Sequence, residues 1–261
     1  MTSRATFGTL TFTCALAFLL GCSSKALTDD DDESTGGSGN TAGSKSTGGT
    51  PNSGCSAVLR QTLSLVDQVS TAKVVIIDHG AAEQTLYIDA SVGGIEGQET
   101  HPWIYVALGS GQAVTETDLT AFDSTAWDLA LKRSVIRTNS GDSGPGSGGA
   151  IRIGLPWDQV DAGTLGNKSL PTELWFDAGC KIKLDATNNL ITTFSGWSEY
   201  DETNHVVSAA PDVVYITAAA DGSLYKVAVL DYYSTPTGAH GIETGPNNNS
   251  AHYKLRIAPL P

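Results

Sequence analysis

The chain has 261 residues, of which 40% are hydrophobic, 29 are glycine and one is methionine, and its formal net charge at pH 7 is -13. Without a leader and a linker, roughly 200 residues remain, which suits one domain with a sizeable core. Abundant glycine with Val, Ile, Thr, Trp and Tyr favours strands and turns over helices. The negative charge argues against nucleic acid as a partner, because phosphate binding needs clustered Lys and Arg.

The first 22 residues have the pattern of a processing signal. Arg4 supplies a positive charge, an apolar run extends from Leu10 to Leu20, and a glycine then precedes Cys22. The run is too short to be a good membrane span. A small residue before a cysteine at this point resembles the lipobox of bacterial lipoproteins. We therefore expect residues 1–22 to be a lipoprotein signal peptide and Cys22 to be lipidated; the alternative is an ordinary secretory peptide.

Lipidation at Cys22 predicts a membrane location. Several acyl chains on one residue give stable anchoring, whereas a single chain is marginal. Cys22 is followed by Ser23 and Ser24 rather than by Asp, which is compatible with outer-membrane sorting. The expected location is the outer membrane, lipid-anchored, on the cell surface or the periplasmic face.

Residues 23–54 have low complexity. The acidic run from Asp29 to Glu33 is followed by Ser, Thr, Gly and Asn up to Gly54. Such a segment has too few apolar residues to become ordered, so we expect a disordered tether between lipid and domain. The acidic run is interpreted as a charged spacer rather than a cation site, because it has no preformed geometry.

From Cys55 to residue 261 the pattern is that of a single folded domain. Residues 56–70 show a weak helical or irregular pattern, and no helix is assigned. A hairpin is expected around Asp221-Gly222 and a turn at Asn188-Asn189. The fold class is all-β, a mainly antiparallel sheet or sandwich-like domain with long loops and little helix. Strands are predicted at Lys73–Asp78, Gln84–Ala90, Trp103–Leu108, Trp127–Thr138, Ile151–Ile153, Leu174–Leu184, Leu190–Phe194, Val213–Thr217, Leu224–Tyr233 and Tyr253–Ile257.

The stretch from Trp127 to Ala150 is the most informative part of the chain. Trp127, Leu129 and Leu131 have the period of one strand face. The strand then runs into a loop with five glycines, and apolar strand residues follow the loop directly. Glycine tolerates positive φ, and Asn, Asp and Ser bond to nearby backbone. We expect a long shaped loop leaving a buried strand, with a flexible linker as the alternative.

Two cysteines remain besides Cys14 in the leader and the expected lipidation site Cys22. In an oxidising compartment, Cys55 and Cys180 are expected to form one disulfide; the alternative is two unrelated buried thiols. Neither cysteine belongs to a CxxC pair, so a zinc site has no support.

Catalytic motifs are weak or missing. The histidines, His79, His101, His205, His240 and His252, include no HExxH spacing, which leaves a zinc hydrolase unsupported. Ser143 lies in Gly-Asp-Ser-Gly, a sequence also found around serine-protease nucleophiles, and keeps a hydrolase open as a minor alternative. The Gly-rich run lacks the Lys and the following helix of a phosphate loop.

The Gly-rich stretch also carries a family resemblance. Trp127-Asp128-x-Ala130, Arg137-Thr138-Asn139-Ser140-Gly141-x-Ser143-Gly144 and Gly148-Gly149-Ala150 resemble the signature of the HmuY-like lipoproteins. These are haemophore-like, surface or secreted haem-binding proteins of Gram-negative bacteria. The resemblance continues through Gly196-Trp197-x-Glu199-Tyr200 to Tyr253–Ile257 and covers roughly Thr100 to Ile257.

The resemblance implies a non-enzymatic all-β domain that binds haem for iron acquisition and delivers it to an outer-membrane receptor. Such a protein needs a cleft with apolar walls and axial ligands to iron, which are His or Met in family members. His205 lies near the position of one ligand and is the candidate haem-iron and cofactor-binding residue; the alternative is a surface turn residue. Arg137, Asn139 and Ser143 are expected to shape the loop.

The second ligand is missing from its expected place. The matching region, about Leu174 to Thr193, contains neither His nor Met. Either one histidine holds the haem, or His79, His101 or His240 substitutes, or haem is not bound. In the last case the chain is a binding or interaction module on the same scaffold, with another small ligand or partner.

Overall fold

Strands dominate the structure, as the composition predicts. The computed structural model describes residues 55–185 and 190–261. The predictions for residues 1–54 and for the turn at Asn188-Asn189 lie outside these residues. Over the described residues the all-β class is confirmed. The strands are β1 (Val74–His79), β2 (Gln84–Asp89), β3 (Ile104–Ala107), β4 (Gln112–Val114), β5 (Leu129–Lys132), β6 (Val135–Thr138), β7 (Gly149–Ile153), β8 (Ser198–Asp201), β9 (Val206–Ala209), β10 (Val214–Ala218), β11 (Leu224–Asp231) and β12 (His252–Pro259).

Helices are short in the described part of the chain. The α-helices are α1 (Ser56–Thr62), which lies in the weak helical pattern predicted for 56–70, and α2 (Ala162–Leu165). None of the helices in this part is long and apolar enough to span a membrane. Single 3-10 turns occur at Glu96–Glu99, Thr120–Asp123 and Trp157–Gln159.

The strands form two larger sheets and one separate hairpin. The six-stranded sheet has the order β1-β2-β12-β11-β10-β7, the four-stranded sheet has the order β4-β3-β5-β6, and β8 pairs with β9 alone. The predicted hairpin around Asp221-Gly222 is confirmed, because β10 pairs antiparallel with β11. The last strand, β12, lies between β2 and β11, so distant parts of the sequence form the centre of the larger sheet.

The predicted strand Trp127–Thr138 is wrong in one respect, because it is two antiparallel strands joined by Arg133 and Ser134. Arg133 adopts a φ of +51°, a conformation usually signalled by Gly, Asn or Asp. Its guanidinium donates hydrogen bonds to the carbonyl oxygen of Ser91 and to the carbonyl and hydroxyl oxygens of Ser250. Long-range contacts therefore hold a turn that has no local sequence signal.

Both faces of β5, the first of the two strands before the Gly-rich loop, are buried. Leu129 and Leu131 belong to the main core cluster, which both larger sheets share. Ala130 and Trp127 belong to a second cluster with α1 and Cys55. The predicted face is therefore wrong for Trp127, which precedes β5 and packs with the second cluster. A third cluster covers the opposite face of the six-stranded sheet.

The two strands predicted at Leu174–Leu184 and Leu190–Phe194 are also wrong. The described residues of this segment form only isolated bridges. The backbone N–H groups of Trp175 and Phe176 donate to the carboxylate of Asp142 instead of to a neighbouring strand. A side chain from the Gly-rich loop therefore takes the place of a strand partner.

The predicted disulfide between Cys55 and Cys180 is confirmed. The two residues are 125 positions apart in sequence, and Cys55 is buried in the second core cluster. The bond therefore ties the first described residue of the domain to the segment that follows Phe176.

We expect the double variant Cys55→Ser, Cys180→Ser to lose about 2–5 kcal/mol of unfolding free energy, because a cross-link across a long loop restricts the unfolded chain. Urea unfolding of the oxidised wild type beside the variant measures the loss. Reduced wild type is the control and should match the variant. Equal stability of the oxidised wild type and the variant would contradict the prediction.

Candidate functional site

The Gly-rich loop after β6 encloses a buried cation. The guanidinium carbon of Arg137 lies 4.5 Å from the ring centre of Trp103 and 4.9 Å from that of Trp127, and the side chain has no exposed surface. One guanidinium nitrogen donates to the carbonyl oxygen and the hydroxyl of Ser143, at 3.0 and 2.7 Å, and another donates to the hydroxyl of Tyr105. Arg137 and Ser143 therefore shape the loop.

The same contact bears on Ser143 as a candidate nucleophile. Its side chain is fully buried, and its hydroxyl is bonded to a guanidinium. A guanidinium stays protonated and has no acceptor atom. Because a serine nucleophile needs a base that takes its proton, this contact gives Ser143 no activating partner.

Asn139 explains why the loop needs glycine. Its side-chain amide donates to the carbonyl oxygens of Ser124 and Trp127, and its Oδ1 accepts from the N–H of Gly146. A Cβ at Gly144 would clash with the Asn139 Oδ1. The loop is thus a folded feature rather than a flexible linker.

Other charged groups are buried near the loop, among them Lys132, Asp118 and Glu173. The Nζ of Lys132 donates to the carbonyl oxygens of Ser64 and Gln98, and burial lowers the pKa of Lys132 to about 8. Burial also raises the pKa of the Asp118 and Glu173 carboxyls, which accept several backbone hydrogen bonds. These groups therefore form their hydrogen bonds within the protein.

The β8–β9 hairpin presents His205 to solvent. The turn follows Asp201, whose Oδ1 accepts from the N–H groups of Thr203 and Asn204. The side-chain amide of Asn204 bonds the other oxygen and is the main cause of the lowered pKa of Asp201. His205 ends the turn with a φ of +57°. The turn is therefore held by its own polar contacts.

The two ring nitrogens of His205 have different surroundings. Nδ1 lies 2.7 Å from the hydroxyl of Tyr200, whereas the described part of the chain offers Nε2 neither a hydrogen bond nor an ion pair. Imidazole is a common metal ligand, and the nitrogen that does not bind metal usually bonds a second group. Within the described residues, the Nε2 of His205 is therefore left without a polar partner while its Nδ1 contacts Tyr200.

A cleft of about 430 Å³ lies beside β9 and contains His240. The Nδ1 of His240 is 3.0 Å from Asp231, and its Nε2 is 3.2 Å from Glu243. The hydrogen bond to Asp231 is the main cause of the raised pKa of His240. Both ring nitrogens are thus paired with carboxylates. The wall of the cleft includes Val207, Ser208, Ala209, Leu230, Tyr233 and Lys254.

The other histidines lie elsewhere. His79 and His101 line two further clefts, and His252 bonds the hydroxyl of Tyr87. Within residues 55–185 and 190–261, no group of three His, Cys, Asp or Glu side chains is arranged to hold a metal ion. Cys22, the expected lipidation site, lies outside these residues.

The polar partners of the two candidate histidines are not among the residues predicted from the sequence. Tyr200 becomes a partner of His205 only through the pairing of β8 with β9. Glu243 follows His240 by three residues, a spacing visible in the sequence, whereas Asp231 is brought to His240 by the fold.

A family model, HmuY protein, matches residues 99–244, a range that includes the Gly-rich loop, His205 and His240. No curated protein matches the chain. A protein from Bacteroides fragilis assigned as a lipoprotein is 17% identical, with 71% of this chain and 93% of that chain covered and a TM-score of 0.40.

Two other solved structures are similarly distant. A protein from Bacteroides vulgatus assigned as an HmuY-like haem-binding protein is 15% identical to this chain. The comparison covers 71% of this chain and 96% of that chain, with a TM-score of 0.41. The ligand-free HmuY analogue of Tannerella forsythia is 17% identical to this chain. The comparison covers 75% of this chain and 100% of that chain, with a TM-score of 0.42.

We expect Asp231→Asn to lower the pKa of His240 toward its usual value, because the variant removes the negative acceptor that stabilises the imidazolium. NMR titration of the His240 ring protons measures the pKa. Asp221→Asn, in the turn between β10 and β11, is the control and should leave it unchanged. A His240 pKa that is the same in Asp231→Asn and wild type would contradict the prediction.

Proposed function

The chain belongs to the HmuY family, and on that premise we propose that it is a haem-binding protein for haem and iron acquisition, with His205 as an axial ligand of the iron. The family match supports the proposal because it spans more than half of the chain and includes the β8–β9 hairpin. A binding role rather than a catalytic one agrees with the buried, guanidinium-bonded Ser143.

The observation that carries the proposal is which ring nitrogen of His205 has a polar partner. Haem iron needs an imidazole nitrogen with an accessible lone pair. His205 is exposed, its Nδ1 is bonded to Tyr200, and no hydrogen bond or ion pair within the described residues occupies Nε2. This is the arrangement that histidine ligands of metals commonly have.

We propose His240 as the second ligand. Among the three alternatives, it lines the cleft beside β9, the strand that begins directly after His205. The cleft volume, about 430 Å³, falls within the range of small-molecule sites, roughly 300–1,000 Å³. Iron binding would require Glu243 to leave Nε2, and an exposed ion pair of this kind is worth little.

A second candidate function is a binding or interaction module that holds another ligand. The observation that favours it is the pairing of both His240 nitrogens with carboxylates. If His240 keeps these partners, His205 is left as a single ligand, and haem is held less firmly.

The cellular setting is also a proposal. Residues 1–22 would be the lipoprotein signal peptide, 23–54 the tether and 55–261 the HmuY-like domain, anchored through Cys22 at the outer membrane. Haem is the expected ligand, and an outer-membrane receptor is the expected protein partner. The disulfide at Cys55 supports the start of the domain, because it fixes the chain to the core where the tether would end.

We expect haemin to bind the purified full chain with a sharp Soret band that His205→Ala removes. Loss of an axial ligand should weaken binding by more than the roughly 10–100-fold that follows loss of an outer partner. Absorption titration of wild type, His205→Ala and His240→Ala measures the affinities. His240→Ala should also bind more weakly than wild type if His240 is the second ligand.

The matched control for the titration is His79→Ala, since His79 is an exposed histidine on a different cleft. It should bind haemin like wild type. A featureless wild-type titration, or an unchanged spectrum in His205→Ala, would contradict ligation by His205. A featureless titration would favour the second candidate function.

We expect Cys22→Ser to move the protein from the membrane fraction to the soluble fraction and to abolish fatty-acid incorporation, because the acyl chains would have no attachment site. Fractionation with a labelled fatty acid measures both effects. Cys14→Ser, in the same leader, is the control and should remain membrane-bound. Unchanged membrane association of Cys22→Ser would contradict lipid anchoring through this residue.

A further inference from the structure

Tyr200 is the nearest polar partner of the candidate iron ligand. Its hydroxyl lies 2.7 Å from the Nδ1 of His205, and the two ring centres are 6.2 Å apart at an interplanar angle of 38°. The two rings are thus tilted rather than stacked, and their closest approach is a polar contact. Resting on the proposed ligation by His205, we propose that Tyr200 is a positioning residue that accepts a hydrogen bond from the Nδ1–H group and leaves Nε2 free for iron.

The hairpin fixes the two side chains relative to each other. Tyr200 lies on β8 opposite Val207, and the next pair, Asp201 opposite Val206, closes the turn. Asp201 holds that turn through the N–H groups of Thr203 and Asn204. His205 therefore reaches Tyr200 from a turn that is already held in shape, and little ordering is needed when iron binds.

The chemistry of iron binding sets the direction of the hydrogen bond. A neutral imidazole has one N–H, and if Nε2 gives its lone pair to iron, the proton must be on Nδ1. The phenol oxygen of Tyr200 can accept a hydrogen bond from that N–H while its own O–H turns to solvent, since Tyr200 is 58% exposed. A hydrogen-bonded Nδ1–H makes the imidazole a stronger donor to the metal.

Solvent exposure limits how much haem affinity is lost when Tyr200 is changed. Both side chains face solvent, so water can replace part of the lost contact when Tyr200 is changed. The expected loss in haem affinity is therefore at the lower end of the outer-partner range, about 10-fold. A weaker imidazole donor also favours ferrous over ferric iron, which should shift the reduction potential to more positive values.

The test is haemin titration and potentiometry of the full chain, with wild type, Tyr200→Phe and His205→Ala side by side. Tyr200→Phe keeps the ring and removes the acceptor. We expect about 10-fold weaker haemin binding and a more positive potential, with an unchanged circular dichroism spectrum. Tyr225→Phe, in another cleft, is the matched control and should behave like wild type.

The outcomes separate this inference from the proposed function. If His205→Ala removes the haem spectrum and Tyr200→Phe matches wild type in affinity and potential, the positioning role is wrong and ligation by His205 remains. If His205→Ala binds haemin like wild type, both are wrong. If Tyr200→Phe alone abolishes the spectrum, Tyr200 is itself the ligand and the positioning role is overturned.

Discussion

Burial of the Arg137 guanidinium is the constraint on which the arrangement of the central strands depends. A cation removed from water needs acceptors and aromatic faces around it. Arg137 finds them in Trp103, Trp127, the Tyr105 hydroxyl and the oxygens of Ser143. Because Ser143 lies six positions further along the chain, the loop must fold back on its own strand. The glycines make that return possible, so the Gly-rich stretch is a consequence of the buried charge.

This rigid frame supports the exposed hairpin that carries the candidate ligand. The indole N–H of Trp197, just before β8, donates to the carbonyl oxygen of Ser134 in the β5–β6 turn. The N–H of Val207, on β9, donates to the hydroxyl of Tyr233. The base of the hairpin is thus bonded to the β5–β6 turn and to a residue that follows β11, while His205 remains at its exposed tip. A fixed base with an accessible tip suits capture of a planar ligand from solution.

The features predicted correctly from the sequence are those with local causes. The glycines of the loop and the β-rich runs on both sides of Asp221-Gly222 have a signal within a few residues. The disulfide is the exception, because its cysteines are 125 positions apart and their pairing follows from the small number of cysteines in the chain. The strand predictions that are wrong fail because of contacts between residues far apart in the sequence. Arg133 turns without glycine because Ser91 and Ser250 accept its guanidinium. Trp175 does not lie in a strand because the carboxylate of Asp142, 33 residues earlier, accepts a hydrogen bond from its backbone N–H. For the site, the resemblance indicates His205, but Tyr200 becomes its partner only through the register of β8 with β9.

The two candidate histidines differ in a way that bears on haem capture and release. His205 has a neutral partner at Nδ1, whereas His240 is held between Asp231 and Glu243. Protons and iron compete for the same imidazole lone pair. Because the carboxylates raise the pKa of His240, protonation competes with iron at a higher pH than it would for an unpaired histidine. If His240 binds iron as proposed, acidification through that raised pKa would weaken its ligation, and return of Asp231 and Glu243 to the ring would also favour release of the haem.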